Sequence, residues 1–372
     1  MRLLRVLPQI APFFLLLSFS GCGKFFVDEN NPTPGSGDYF YVANSTTGAV
    51  TGFSVGTSGL SSTSNSPYSL GVAPSAIAVT PGSTYVYVAS LAGAIYGYSV
   101  GSSGALSILN SGNALISGIS PTALKVDPSG NWLLAADLTP AAYVFSINSS
   151  TGLLTQQGNA LALDAGSPNH IVVTPNNSLV YISLGTGGVD ICTFSSSNGS
   201  LTKTNQILKP KSTSNSDQGL AVDPGGKYLF AAETGVNALR VLSIASTGAL
   251  TEISGSPFTT GLGPAGVIVD ASGSYVYVAN RTDGTVSAFS LATTGALTQI
   301  SGSPFTTGSQ PYDMAEDTSK TYIGVANSGG TPDFQVFTIG SSTSSTPGGL
   351  TSFAKTTNSG TATGAFGVVA AD

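Results

Sequence analysis

Apolar and aromatic positions cluster in a six-residue motif that returns seven times along the chain. Its first copy reads Tyr39-Phe-Tyr-Val-Ala-Asn44 and its sixth Tyr275-Val-Tyr-Val-Ala-Asn280; the others begin at Tyr85, Trp132, Leu179, Tyr228 and Tyr322. The copies end at 44, 90, 137, 184, 233, 280 and 327, so the steps are 46, 47, 47, 49, 47 and 47 residues. β-Branched and aromatic residues side by side, apolar on both faces of an extended chain, describe a strand sandwiched between two layers. A strand-built unit repeating every 40–50 residues or so marks a β-propeller, one blade per repeat.

The sixth repeat shows what each unit builds. Gly266-Val-Ile-Val-Asp270 is a short apolar run ended by the turn Ala271-Ser-Gly273. Tyr275–Ala279 follows, then a second turn holding Asp283-Gly284, a hairpin signal. Thr285–Leu291 alternates polar and apolar, as a strand with one wetter face does. Thr294-Gly295 turns the chain into a fourth strand, Ala296–Ile300. Four strands joined by tight turns make a blade, and no long stretch has helical periodicity.

The two ends complement each other. The first repeat opens at its second strand, Tyr39–Ala43, with no innermost strand before it, while Ala365–Ala370 reads as an innermost strand with nothing after it. A C-terminal strand that completes the first blade removes both open edges of the ring. The expected fold is all-β: a closed seven-bladed propeller of four-stranded blades over residues 38–372, one domain and a monomer.

Composition narrows the chemistry. Only 8% of the 372 residues are charged, the net charge is −6, and the 12 Lys and Arg form no cluster. A nucleic-acid-binding face needs clustered cations, so none is expected. Asp127, Asp223, Asp270 and Asp317 recur just after the innermost strands, where Thr80 and Thr174 stand in other repeats. Both residue types hold turns through backbone hydrogen bonds. One acid per blade does not converge as a calcium site would. No zinc spacing or phosphate-binding loop occurs, so neither metal nor cofactor is expected.

The N-terminus reads as an address. Arg2 and Arg5 precede an apolar run from Val6 to Phe19, and Phe19-Ser20-Gly21-Cys22 resembles a bacterial lipobox. Residues 1–21 are then a lipoprotein signal peptide, Cys22 is acylated, and residues 22–37 are a flexible tether. The protein is expected in the bacterial cell envelope, periplasmic or on the outer surface, touching the membrane through the lipid anchor only. Cys192, in the third-strand pattern Val189–Phe194, is then the one thiol left, expected buried and inert.

The repeats Val79-Thr-Pro-Gly-Ser-Thr-Tyr-Val-Tyr-Val-Ala89 and Val222-Asp-Pro-Gly-Gly-Lys-Tyr-Leu-Phe-Ala-Ala232 resemble YVTN repeats and the 6-phosphogluconolactonase-like, lactonase-type seven-bladed propellers. The likeness runs through the whole of residues 38–372. It implies a site at the mouth of the central channel, where innermost strands begin and second strands end. The family places a His and an Arg before two innermost strands, and a Glu and an Arg after two second strands. Counted from the turn prolines and strand aromatics, the His falls at Asn169 with His170 next, and the early Arg falls at Gln218. The Glu falls at Thr234 with Glu233 just before it. The late Arg falls on Arg281 in register.

Aligning the innermost strands puts Ala76, Ala123, His170, Gly219, Gly266 and Asp313 at one position, so small residues surround His170 and Asp313. The resemblance therefore implies Arg281, His170 and Glu233 as catalytic candidates, with Asn169, Gln218, Tyr312 and Asp313 as substrate-binding candidates. His170 would act as general base on a water attacking a lactone carbonyl, and Arg281 would face the oxyanion. Two readings remain: an extracytoplasmic enzyme hydrolysing a small sugar lactone or related ester, a carboxylic ester hydrolase; or a non-catalytic envelope propeller that binds a glycan or protein partner. One further expectation is independent of either reading. Intact mass of the membrane-extracted protein carries added acyl mass, and Cys22→Ser abolishes it; a wild-type mass without acyl chains overturns the lipobox reading.

Overall fold

The computed structural model describes residues 38–57, 59–212, 219–356 and 363–371. Signal peptide, Cys22, tether and Gln218 lie outside the described residues. The chain forms seven antiparallel sheets, six of them running from the innermost strand outwards in chain order. Six blades take four consecutive strands, beginning at Pro74, Pro121, His170, Leu220, Pro264 and Ser309. Blade 1 takes its innermost strand, Ala365–Ala371, from the C-terminus, paired antiparallel to Tyr39–Asn44 from Tyr39 opposite Ala371 to Asn44 opposite Ala365. The ring closes as the complementary ends require. Five blades add a two-residue strand against the third strand, such as Phe258–Thr259 and Phe305–Thr306.

The repeated motif is the second strand of every blade. In blades 1 to 4 this strand is buried at every residue. In blades 5 to 7 the motif is buried at every residue after its first, a tyrosine. Apolar on both faces, these strands pack against the blades on either side. The acids and threonines after the innermost strands hold the next turn. Asp127, Asp223 and Asp270 accept the backbone N–H of Trp132, Tyr228 and Tyr275, five residues on, at 2.8, 2.6 and 2.6 Å. The Thr80 and Thr174 hydroxyl oxygens accept from Tyr85 and Leu179, both at 3.0 Å.

Blades are joined through aromatic rings seated on turn glycines. Tyr41 donates its hydroxyl to the carbonyl of Gly104 in the next blade at 2.8 Å, Tyr87 to Gly152 at 3.0 Å, Tyr181 to Gly248 at 3.3 Å and Tyr277 to Gly348 at 2.9 Å. The residue two before each tyrosine covers the same glycine: a Cβ on Gly104 would lie 2.3 Å from the Tyr39 ring, and one on Gly348 2.3 Å from Tyr275. Both glycines also have positive φ, +70° and +71°, where an L side chain is strained. Where the third motif position is Leu134 or Phe230, the first residue makes the bond. Trp132 Nε1 donates to Ser196 at 2.8 Å, and the Tyr228 hydroxyl to Thr293 at 3.0 Å.

Gly71 has the same φ of +71°, but a Cβ added to it would meet nothing within 4 Å, and so it separates backbone strain from ring contact. Gly71→Ala should cost about 1–2 kcal/mol, the left-handed penalty alone. Gly348→Ala should cost roughly 1–3 kcal/mol more for overpacking. Thermal denaturation of both variants checks this; equal melting temperatures would show that the ring contact contributes nothing.

Candidate active site in the central channel

The seven innermost strands enclose a cavity of about 470 Å³ that runs through the ring. Its wall is mostly Ala, Gly, Val, Ile and Leu. Close approach of neighbouring blades enforces the small residues: a Cβ on Gly219 would lie 1.8 Å from the Ala265 carbonyl oxygen, and one on Gly266 2.6 Å from that of Tyr312. Where the innermost strands start, register shifts follow Pro74, Pro121 and Pro264 and flank Pro311. Bulges at a rim re-aim side chains, and the shift between Pro311 and Asp313 does so beside a carboxylate.

Lys125, His170, Asp313 and Glu316 are the titratable groups on the channel wall other than Tyr312. His170 opens its innermost strand, and Asp313 holds the aligned position on its own, the fifth residue of Ser309–Glu316. Lys125 lies two positions deeper on the strand of blade 3, close enough for its charge to act on both of them. Solvent enters the channel and reaches the Lys125 side chain, yet protein rings the ammonium. That burial lowers its pKa from the ordinary value, against the Asp313 charge, which raises it. Asp313 accepts from the Met314 N–H at 2.9 Å and from Val368 N–H, on the closing strand, at 3.1 Å. Burial outweighs these bonds and the nearby Lys125, and pushes the carboxyl up to about 6. Burial first, and then the Lys125 charge, pulls the His170 imidazole down to about 4. Its Nδ1 is buried without a hydrogen-bond partner. At neutral pH, then, His170 is uncharged and a weaker base than its ordinary value of 6.5 would make it.

The remaining sequence candidates are placed as follows. Tyr312 lines the channel, and the Arg281 guanidinium stacks over its ring, 5.2 Å from the centroid. Asn169 lines the same mouth, its side-chain oxygen accepting from the Ser183 hydroxyl. Glu233 does not line the channel. It is fully buried, bonded to Arg240 Nη1 at 3.0 Å, and accepts the Lys211 N–H at 3.2 Å. It shares its place at the end of a second strand with Asn44, Asp137 and Asn280, which are also buried and bonded to neighbouring turns. Removing one partner of such a buried pair costs about 3–5 kcal/mol, so this geometry gives Glu233 a structural task.

Lys125 and Glu316 were not singled out from the sequence. The signal was present: in the aligned innermost strands Lys125 shares its column with Ala78, Val172, Ala221, Ile268 and Ala315, and Glu316 shares its own with five valines. Burial also pushes Glu316 up, to about 7. Its neighbours Asp270 and Asp317 mark the opposite mouth, where innermost strands end. Among the described residues no three His, Cys, Asp or Glu side chains gather as metal ligands would. Cys192 is fully buried, its thiol pushed up to about 12 chiefly by burial. It is an inert core residue.

Fold and cavity define a seven-bladed propeller whose mostly apolar channel holds Lys125, His170 and Asp313 together, with Glu316 towards the opposite mouth. The chain matches the family described as lactonase, 7-bladed β-propeller, over residues 33–166, 142–258 and 251–363, and belongs to it. No curated protein matches it in sequence. Among solved structures it is similar to a protein from Lactobacillus plantarum at 19% identity and a TM-score of 0.71, over 91% of this chain and 100% of that one. A candidate 6-phosphogluconolactonase from Bacteroides fragilis is 18% identical with a TM-score of 0.72, over 91% of this chain and 99% of its own. The periplasmic gluconolactonase of Pseudomonas aeruginosa is 15% identical with a TM-score of 0.71, over the same shares. At these identities the likeness is one of fold.

The chain has one histidine, so its imidazole gives a single resolvable NMR signal. That signal should titrate near pH 4; a midpoint near 6.5 would mean that the channel does not bury it. The sign for stability follows. An unfolded chain protonates His170 below about 6.5, and the folded one only near 4. This group's contribution is therefore complete above about pH 6.5 and is lost as the pH falls towards 4.

Proposed function

We propose that this protein hydrolyses a lactone at the channel mouth. The observation that carries the reading is the convergence of Lys125, His170 and Asp313, from three different blades, on one cavity whose walls are otherwise mostly apolar. Membership of the lactonase family supports it. So does the size of the cavity, within the range of small-molecule sites.

Asp313 replaces His170 as the general base in this reading. A carboxylate titrating near 6 is ionised at neutral pH and more basic than an ordinary aspartate, whereas an imidazole titrating near 4 accepts a proton poorly. Asp313 takes a proton from water as the water oxygen bonds to the lactone carbonyl carbon. The carbonyl π pair moves to oxygen, and the Lys125 ammonium stabilises the negative charge in a channel of low dielectric. The ring C–O bond then breaks, the departing alkoxide recovers the proton from Asp313, and a hydroxy acid is released. Neutral His170 offers a fixed hydrogen bond to the substrate, and the Arg281–Tyr312 stack shapes the rim.

The envelope address belongs to the same proposal. It is supported by the Ser20-Gly21-Cys22 ending of the apolar run and by the likeness to a periplasmic gluconolactonase.

A panel of sugar and alkyl lactones, corrected for spontaneous hydrolysis, tests the reading. Asp313→Asn should lower kcat/KM by about 10²–10⁴ and abolish the rise of the wild-type profile through about pH 6. Lys125→Met should cost about 10²–10³. Turnover unchanged in both variants removes this mouth from the reaction. No turnover by the folded wild type favours a propeller that binds an envelope glycan or protein.

A further inference from the structure

The rim of the polar mouth is two-sided. The residue following each second-strand motif forms a ring of seven positions around the mouth: Ser45, Leu91, Leu138, Gly185, Thr234, Arg281 and Ser328. Arg281 is the only charge in that ring and belongs to blade 6. Leu91 and Leu138, in blades 2 and 3, lie across the mouth from it, three to four blades away on a ring of seven. Both are exposed, Leu91 at 50% and Leu138 at 56%. Ser120 ties their two turns together: its hydroxyl donates to the Leu91 carbonyl at 3.2 Å, and its own carbonyl accepts the Leu138 N–H at 3.0 Å. The patch is joined to the channel. Pro121 starts the innermost strand right after Ser120, and its carbonyl accepts from Ser75, a channel-lining residue, at 2.5 Å.

Exposed single leucines are ordinary on a protein surface. Their distribution is what points to a ligand. Six large apolar side chains are exposed among the described residues, and four of them, Leu91, Leu138, Val236 and Leu262, stand in the turns on the face where innermost strands begin. Leu91 and Leu138 occupy the ring position of Arg281 on the far side of the mouth and continue an apolar channel wall outwards, whereas Val236 and Leu262 stand at blades 5 and 6, Leu262 beside Arg281, its carbonyl accepting the Thr282 N–H at 3.1 Å.

We infer that the substrate is a lactone bearing an apolar substituent, its ring held on the Asp313–Arg281 side and its hydrocarbon tail lying across Leu91 and Leu138. This rests on the lactonase reading and narrows it. An unsubstituted polyhydroxylated sugar lactone leaves the two leucines facing water, whereas an alkyl tail covers them and gains from the area it removes from solvent. One methylene buried on all sides changes affinity by about fourfold; on an open rim about half the surface is covered, so roughly twofold per methylene is expected.

The test uses γ-lactones of increasing alkyl length, with glucono-δ-lactone for comparison, on wild type and on the Leu91→Ser/Leu138→Ser protein. Two quantities are read: kcat/KM, and Kd of the matching alkyl hydroxy acids by calorimetry. The expected result is a wild-type kcat/KM that climbs about twofold per methylene up to a plateau. The ratio of long-chain to short-chain values should fall towards one in the double variant, whose melting temperature certifies the fold. Turnover without dependence on chain length, or the same dependence in the double variant, overturns the inference while the lactonase reading stands. Binding that strengthens with chain length in wild type alone, without turnover, leaves the apolar subsite standing and removes the lactonase reading. Neither binding nor turnover removes both.

Discussion

A side chain of one blade seated on a turn glycine of the next is the contact on which the ring depends. Gly104, Gly152, Gly199, Gly248, Gly295 and Gly348 all adopt positive φ, and each lies under a second-strand side chain of the preceding blade, five of them aromatic and one Leu179. At four of these glycines the carbonyl also accepts a tyrosine hydroxyl. A buried phenol usually finds a partner, and these four find theirs in the next blade. The seam between blades 7 and 1 is built differently. The third motif position there is Gly324, where a Cβ would lie 2.8 Å from the Phe40 ring and 2.9 Å from Phe334. Three phenylalanines close the ring: Phe334 stacks on Phe53, 5.4 Å between ring centres, and packs tilted against Phe40, 5.6 Å away.

A ring fixed in this way brings the innermost strands so close that Gly219 and Gly266 admit no side chain, and the channel becomes a narrow apolar tube. Charges placed there are ringed closely by protein, and Lys125, His170 and Asp313 all depart from their ordinary protonation behaviour in the direction that enclosure dictates. Asp313 couples the site to the architecture. Its carboxylate accepts the Val368 N–H, so the strand that closes the ring also helps hold the base of the proposed reaction. Glu233 shows the other use of a buried acid: paired with Arg240, it ties a turn and leaves the channel to other groups.

Period and patterning, read from residues alone, determined the number of blades, the four-strand unit and the closure by Ala365–Ala371, because a strand packed on both faces must be apolar throughout and the chain ends supply complementary strands. The turn-holding acids and threonines were legible for a similar reason: their bonds reach only five residues along the chain. His170 and Asp313 could be aligned at one position for the same periodic reason. What only the tertiary structure decided was the environment. Blades 3 and 4, one repeat apart in sequence, bring Lys125 to His170, and blade 7 brings Asp313 to them from another part of the ring; no local pattern encodes that meeting. The same holds for the roles of Asp313 and His170, whose basicities are set by enclosure and by the charge of Lys125 beside them, and for Glu233, whose partner Arg240 stands on the adjacent strand. Residue type at a strand end fixes which groups are available; the blades packed around it fix what each of them can do.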